Sequence, residues 1–246
     1  MKVLIHGSTG RMGKILCDLL RAGYPGLELA ARVSPEETAD PANCVFTSLA
    51  EVNCPVECVI DFSHHTAVGG LMDFCIGKNL PVVVATTGHT PEEKALISQA
   101  AEKIPVFYSA NMSIGVALLA ELARKAAAVF PGADIEIVEK HHNQKLDVPS
   151  GTALLLAHAI QEARPDSVLL VGRHENGKRT AREIGIHSLR MGNEVGTHEI
   201  IIATGAETIT LKHEAENRSL FANGALAAAA FLEGKCAGLY SMRHIV

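Results

Sequence analysis

The sequence predicts an α/β protein: a parallel sheet covered by helices, joined to a second, α+β domain with a mixed, largely open sheet. Three features predict it. In the first half, short apolar runs such as VLI, CVI and PVVV alternate with segments of helical periodicity, the pattern of strands buried on both faces between helices. After about residue 112 the rhythm shifts to longer helical stretches rich in alanine. Beyond residue 182 apolar and polar residues alternate, the period of a half-buried strand.

Each element follows from its residues. Val3, Leu4 and Ile5 make a first strand that ends at glycine, and Met12, Ile15, Leu16, Leu19 and Leu20 then recur on one helical face. LELAARV at 27–33 and CVIDF at 58–62 are the next strands, and Val68, Leu71, Met72, Cys75 and Ile76 form the helix face after the second. PVVVA at 81–85 is another strand. Thr90 as N-cap, Pro91 in the first turn and Glu93 closing a capping box start the helix that follows. VFY at 106–108 is a short strand, 116–129 a helix, 135–138 a strand and 152–160 a helix. Ile184 and Ile186 share a strand face with Ser188 and Arg190, and THEIIIATGAETITLKHE reads as two strands joined near Thr204, Gly205 and Ala206. A last helix over 221–232 returns to the first domain. The division expected is 1–112 with 222–246, and 113–221.

Composition narrows the function. The chain has 246 residues, 48% hydrophobic and 20% charged, enough for one large core or two modest ones. A formal net charge of −5 repels nucleic acid and anionic membrane, so an anionic ligand must be drawn by local charge, and neither is expected as a partner. The six cysteines contain no CxxC pair and suit free thiols in a reducing cytosol. Cys54 and Cys58 alone are half a metal site, and no metal is expected. Lys2 leads straight into VLIHG, and no apolar run reaches about 18 residues. A soluble cytoplasmic protein is the expectation.

Two stretches carry chemistry. GSTGRMG, Gly7 to Gly13, lies between the first strand and its helix, where backbone N–H groups and the helix dipole face a pyrophosphate. Its GxxGxxG spacing is a weak match by itself; its position in a βαβ context, with Arg11 adding a cation, makes it a Rossmann-like dinucleotide site. At the end of the second strand Ser34 stands where a carboxylate normally meets the ribose, with Arg32 on the same face. That favours NADPH over NADH, although Glu36 and Glu37 are close by. The second stretch is EKHHNQKLDVPSGTA, residues 139–153. Ser150 is the expected N-cap of the next helix, and the N–H groups of Gly151, Thr152 and Ala153 would point at an anion ahead of it. Lys145, His141 and His142 complete a small cationic pocket suited to carboxylates. Asp147 either orients Lys145 or a histidine, or caps a turn. Ser150 lies in no nucleophile elbow, and adjacent histidines on a strand face opposite ways, against both a serine hydrolase and a zinc site.

These two stretches together resemble the dihydrodipicolinate reductase family. Further matches are DFS at 61–63, ATTG at 85–88, SANMSIGV at 109–116, VGTHE at 195–199, FANGA at 221–225 and the ending GLYSMRHI. Departures are small: Val148 replaces a usual alanine, Ala85 a usual glycine, Ser63 a common threonine, and His89 a frequent aromatic residue. The resemblance implies NADPH or NADH held on Gly7, Ser8, Thr9, Gly10, Arg11 and Met12; Arg32 and Ser34 are placed near the ribose by their position at the end of the second strand. Ala85, Thr86, Thr87 and Ser109, Ala110, Asn111 and Met112 would border the nicotinamide. It implies a small cyclic dicarboxylate imine held by His142, Lys145, Ser150, Gly151 and Thr152, with His141 and Lys145 both candidates for proton transfer. Hinge closure on binding and a homotetramer built through the alternating strands of 184–211 are also implied. Arg190 and His198 either border this site or lie on a solvated sheet face.

Overall fold

A computed structural model describes residues 1–246. In chain order the elements are β1 (Lys2–His6), α1 (Arg11–Arg21), β2 (Glu28–Val33), β3 (Val45–Phe46), β4 (Cys58–Asp61), α2 (Val68–Lys78), β5 (Val82–Val84), α3 (Pro91–Ala101), β6 (Pro105–Tyr108), α4 (Ile114–Val129), β7 (Asp134–His141), α5 (Gly151–Ala163), β8 (Val168–Val171), β9 (Glu183–Arg190), β10 (Gly196–Ala203), β11 (Thr208–Ala215), α6 (Ser219–Leu232) and β12 (Gly238–Tyr240). The chain forms two compact units, Met1–Ile114 with Ser219–Val246, and Gly115–Arg218.

The first unit is built on a seven-stranded sheet of order β12-β6-β5-β4-β1-β2-β3, parallel throughout. Its central strands are apolar on both sides because both sides are covered: Val3, Leu4, Ile5, Val59, Ile60, Val82, Val83 and Val84 are all fully buried. Leu71, Met72 and Cys75 of α2 and Ile97 and Ala100 of α3 pack with Leu4, Val59, Val82, Val84 and Val106 in one core cluster. On α1, Leu16, Cys17 and Leu20 are buried. α3 begins with the capping box expected from sequence: Thr90 Oγ1 accepts the Glu93 N–H, and Glu93 accepts the Thr90 N–H at 2.8 Å. In α6, a Cβ on Gly224 would lie 1.6 Å from the Met112 carbonyl oxygen, so the helix backbone presses against the segment after β6.

The second unit is a mixed five-stranded sheet of order β11-β10-β7-β9-β8. β10 is antiparallel to β7 and β11, while β9 is parallel to β7 and β8. One face buries Ile135, Ile137, Ile184, Ile186, Ile200 and Ile202 against Leu119, Ala123 and Ala127 of α4 and Leu156, Ala157 and Ile160 of α5. Burying each isoleucine contributes about 1.5–3 kcal/mol. A one-residue slip of β7 would bring Glu136 and Lys140 to this face instead, so the register is fixed.

β7 is longer than the sequence suggests. Its burial alternates without a break, so Glu139 and His141 continue the buried face begun by Ile135 and Ile137. The inner face of this strand thus passes from hydrocarbon to a carboxylate and an imidazole at its end. β3, β8 and β12 are not foreseen: two have two or three residues, and VLLV of β8 is only half-buried and has no period to read.

Candidate active site

In the first unit, β1 delivers the chain into Gly7 at φ +82°, where a Cβ would stand 2.6 Å from the Phe62 carbonyl oxygen. Gly13 is equally constrained: its Cβ would meet the Gly7 carbonyl oxygen at 2.2 Å. Both positions need glycine, and α1 can therefore start directly against the turn. Gly10, the N-cap, offers no side-chain cap, and no acidic residue occupies the first turn. The N–H groups at this end stay receptive to an anion, with Arg11 as the first helical residue. A glycine cradle and an uncapped helix start fit the pyrophosphate of a dinucleotide. Arg11, Met12, Ala85, Thr86 and Thr87 line a cavity of about 420 Å³ with Phe62, Ser63 and two histidines, His64 and His65. A second cavity of about 410 Å³ is lined by Gly7, Thr9, Gly10, Ser34 and Glu36, among others.

Beneath the turn is a buried polar cluster that sequence reading passed over. Asp61 is 2% exposed. It accepts hydrogen bonds from His6 Nδ1 at 2.8 Å, Ser63 Oγ at 2.6 Å and Thr86 Oγ1 at 2.7 Å. Burial pushes its carboxyl up, but these bonds together outweigh burial and hold it below the ordinary carboxylate range. The ends of β1, β4 and β5 are thereby tied together under the glycine turn.

At the end of β2 the charges differ from the reading of Arg32 as a lure for a 2′-phosphate. Arg32 Nη1 pairs with Glu37 Oε1 at 3.4 Å, and Ser8 Oγ donates to the same oxygen at 2.8 Å. Glu36 Oε2 accepts from Thr9 Oγ1 at 2.9 Å and from Ser34 Oγ. Two carboxylates, not one free guanidinium, dominate this corner. Ser109, Ala110, Asn111 and Met112 follow β6 and line neither cavity. There Ser109 Oγ donates to the Asn111 carbonyl at 2.6 Å, and Asn111 Oδ1 accepts the Ser113 N–H at 2.8 Å.

In the second unit the end of β7 meets the start of α5. Ser150 is the N-cap, and its Oγ accepts the Ala153 N–H at 3.1 Å. That amide is therefore consumed by the cap rather than offered to a ligand. Gly151 and Thr152 open the helix, whose first-turn N–H groups point out of its end. The Glu139 carboxylate, fully buried, organises the surroundings. It accepts His141 Nδ1 at 2.6 Å, the Ser150 N–H at 3.2 Å, and both Arg190 terminal nitrogens at 2.8 Å. Burial pushes this carboxyl up, but the bonds from His141 and Arg190 outweigh burial and hold it far below the ordinary range. Arg190 also donates to the Asp147 carbonyl at 2.8 Å.

Arg190 and His198 are thus not on a solvated face. His198 is 4% exposed, its Nε2 lies 3.0 Å from Ser150 Oγ, and its ring meets that of His141 edge-on at 5.2 Å. Lys145 Nζ pairs with Asp147 Oδ1 at 2.8 Å, which decides for the orienting role of Asp147. His142, just past the end of β7, lines a polar cavity of about 320 Å³ with Asn143, Asn193 and Arg218. Glu139 and Arg218 are the charged residues here that sequence reading missed. The signal for Glu139 was its period-two spacing from Ile135 and Ile137.

Burial pushes His198 down to about 3, so its imidazole stays neutral in the fold. An unfolded histidine takes a proton below about pH 6.5. Acidification between these limits therefore protonates the unfolded chain first and removes stability, by about 1.4 kcal/mol per pH unit at most. The acid loss tied to Glu139 falls lower, beginning below its unfolded value near 4.5. His198→Gln, which can still bond Ser150, is expected to lose about 2 kcal/mol less than the parent chain between about pH 7.5 and 5. Chemical unfolding at the two pH values measures this; an equal loss in both proteins contradicts it.

A parallel-sheet unit with an anion-receptive glycine turn, and a second unit presenting ammonium, imidazole and a helix start, define a dinucleotide-dependent oxidoreductase acting on an anionic substrate. Comparisons make the class specific. The family model "Dihydrodipicolinate reductase, N-terminus" matches residues 1–112, and "Dihydrodipicolinate reductase, C-terminus" matches 115–246. The chain belongs to the dihydrodipicolinate reductase family. It is 43% identical over 249 residues to the 4-hydroxy-tetrahydrodipicolinate reductase of Caldanaerobacter subterraneus subsp. tengcongensis, covering 100% of this chain and 98% of that one. The enzyme of the same name from Clostridium tetani is 41% identical over 247 residues, covering 98% and 95%. The dipicolinate-bound dihydrodipicolinate reductase of Paenisporosarcina sp. TG-14 superposes with a TM-score of 0.83 at 28% identity, covering 100% and 99%. Membership makes the chain an NAD(P)H-dependent reductase. No helix is long and apolar enough to cross a membrane.

Proposed function

We propose that this protein reduces 4-hydroxy-tetrahydrodipicolinate to tetrahydrodipicolinate in diaminopimelate and lysine biosynthesis, with NADH as its preferred reductant. The observation that carries the reading is the convergence of His141, Arg190 and the start of α5 on the Glu139 carboxylate, with Lys145 paired to Asp147, whose carbonyl Arg190 also holds. A ring bearing two carboxylates matches this array, and a relative of the same fold is described as bound to dipicolinate. The first unit would hold the cofactor on residues 7–12, with Ala85, Thr86 and Thr87 and the segment 109–112 toward the nicotinamide. The second would hold the substrate and, through the sheet face opposite α4 and α5, assemble a cytoplasmic homotetramer.

The net change adds one hydride and one proton and expels one water. The reduced nicotinamide supplies the hydride when bound. His142, Lys145, Gly151 and Thr152 grip the carboxylates, while Ser150, bonded to Glu139, Ala153 and His198, holds the helix start in place. The Lys145 ammonium, shared with Asp147, also draws electron density from the conjugated imine and makes it a better hydride acceptor. His141 supplies the proton; its ring is backed by a carboxylate, as a positioned acid requires, whereas Lys145 is paired with Asp147.

The preference for NADH rests on Glu36 and Glu37. A 2′-phosphate at the end of β2 would meet their carboxylates, while ribose hydroxyls can donate to Glu36. Steady-state kinetics of the parent chain and of Glu36→Gln/Glu37→Gln, with both cofactors, test the reading. The parent is expected to favour NADH, and the double variant to shift the kcat/KM ratio toward NADPH by about tenfold or more. A parent that favours NADPH, or a ratio indifferent to the double change, contradicts the assignment.

A further inference from the structure

We propose that Glu139 is the positioning residue for His141: its buried carboxylate, clamped by Arg190, holds the imidazole with the proton on Nδ1 and locks the start of α5 to the same group. The inference rests on the role given to His141 above and names what makes that role possible.

Glu139 is 0% exposed, so it acts through other groups. Its two oxygens divide the work. Oε2 faces His141 Nδ1 at 2.6 Å and Arg190 Nη1 at 2.8 Å. Oε1 faces the Ser150 N–H at 3.2 Å and Arg190 Nη2 at 2.8 Å. A carboxylate only accepts, so Nδ1 must carry hydrogen and Nε2 is the nitrogen left to exchange a proton. That Nε2 edge lies over Gly196, where a Cβ would come within 3.0 Å of it. The lack of a side chain there keeps the working nitrogen uncovered. His198, neutral, packs edge-on against the ring and itself feels the positive charge of Lys145.

The tautomer can be inverted by one atom. In Glu139→Gln the new NH₂ must take one of the two oxygen positions. At Oε1 it would oppose the Ser150 N–H and Arg190, two donors that cannot turn into acceptors. At Oε2 it again opposes one Arg190 nitrogen, so the second partner decides: the Ser150 N–H cannot accept, whereas His141 can, by moving its hydrogen to Nε2, and the Ser188 hydroxyl that also bonds this group can turn either way. The amide therefore faces the ring, and the neutral ring changes tautomer.

The test is ¹⁵N NMR of ring-labelled protein, with the His141 resonances among the 12 histidines assigned from a His141→Asn control. The parent chain is expected to carry hydrogen on His141 Nδ1, and Glu139→Gln on Nε2 with Nδ1 bare. In the variant kcat should fall about 100-fold while the KM for the reduced cofactor stays within about twofold. The parent measurement stands even if the variant folds poorly: Nδ1 bare in the neutral parent ring overturns the proposal. So does a variant that loses activity with its tautomer unchanged. An inverted tautomer with kcat intact would instead overturn the proton-transfer role of His141, and with it the function assigned to the positioning.

Discussion

Lys145→Ala is expected to lower kcat with the cyclic imine by about 10²–10³-fold and to leave cofactor affinity nearly unchanged. The size follows from what the ammonium does. It is a full charge, 20% exposed in its side chain, on the loop between β7 and α5, and it would face the negative charge that develops as the carboxylates bind and the imine is polarised. The direction follows from what it does not do. Its ion pair with Asp147 is at the surface, since Asp147 is 60% exposed, and such pairs contribute about 0–1 kcal/mol to stability. A folded, cofactor-binding, nearly inactive protein is the expected product. Steady-state kinetics together with fluorescence titration of the reduced cofactor measure both halves. Normal turnover would remove Lys145 from the chemistry, and lost cofactor binding would make its role structural.

Gly13→Ala is expected to destabilise the first unit and weaken dinucleotide binding by about 100-fold, although alanine ordinarily favours a helix over glycine by about 1 kcal/mol. The new methyl would sit 2.2 Å from the Gly7 carbonyl oxygen and 2.7 Å from Ser8 Cα. These are backbone atoms of the cofactor turn itself, so relief requires that α1 move away from β1. Overpacking of this kind costs about 1–3 kcal/mol, which outweighs the propensity gain. The same displacement would spread the N–H groups meant to converge on the pyrophosphate. Thermal unfolding and cofactor titration measure the change. A more stable protein with undiminished affinity would show that the turn has slack its geometry denies.

What could be read in the sequence was what local chemistry decides. Thr90 with Glu93 and Ser150 before GTALLLA mark helix starts because a hydroxyl and an amide three residues on suffice to define them. The glycines at 7 and 13 announce a close approach for a similar reason. The rest depends on residues far apart in the chain. Glu139 stays illegible because nothing near it in the chain shows that Arg190, 51 residues on, reaches back to pair with it. His198 is likewise neutralised by burial against Ser150, 48 residues away. Arg32 reads as a lure for phosphate even with Glu36 and Glu37 close by, because spacing alone does not show that the turn at Pro35 brings Glu37 Oε1 to 3.4 Å from its guanidinium. Charges on strands were the least legible feature, since their partners are chosen by sheet order.

The most direct measurement follows NADH absorbance with purified protein while the cyclic imine is formed in situ, with the product identified by mass spectrometry. The account predicts oxidation that begins only when the imine is present, is inhibited by dipicolinate, and yields one tetrahydrodipicolinate per NADH consumed. No imine-dependent oxidation with either nicotinamide cofactor, from protein that binds them, would contradict it.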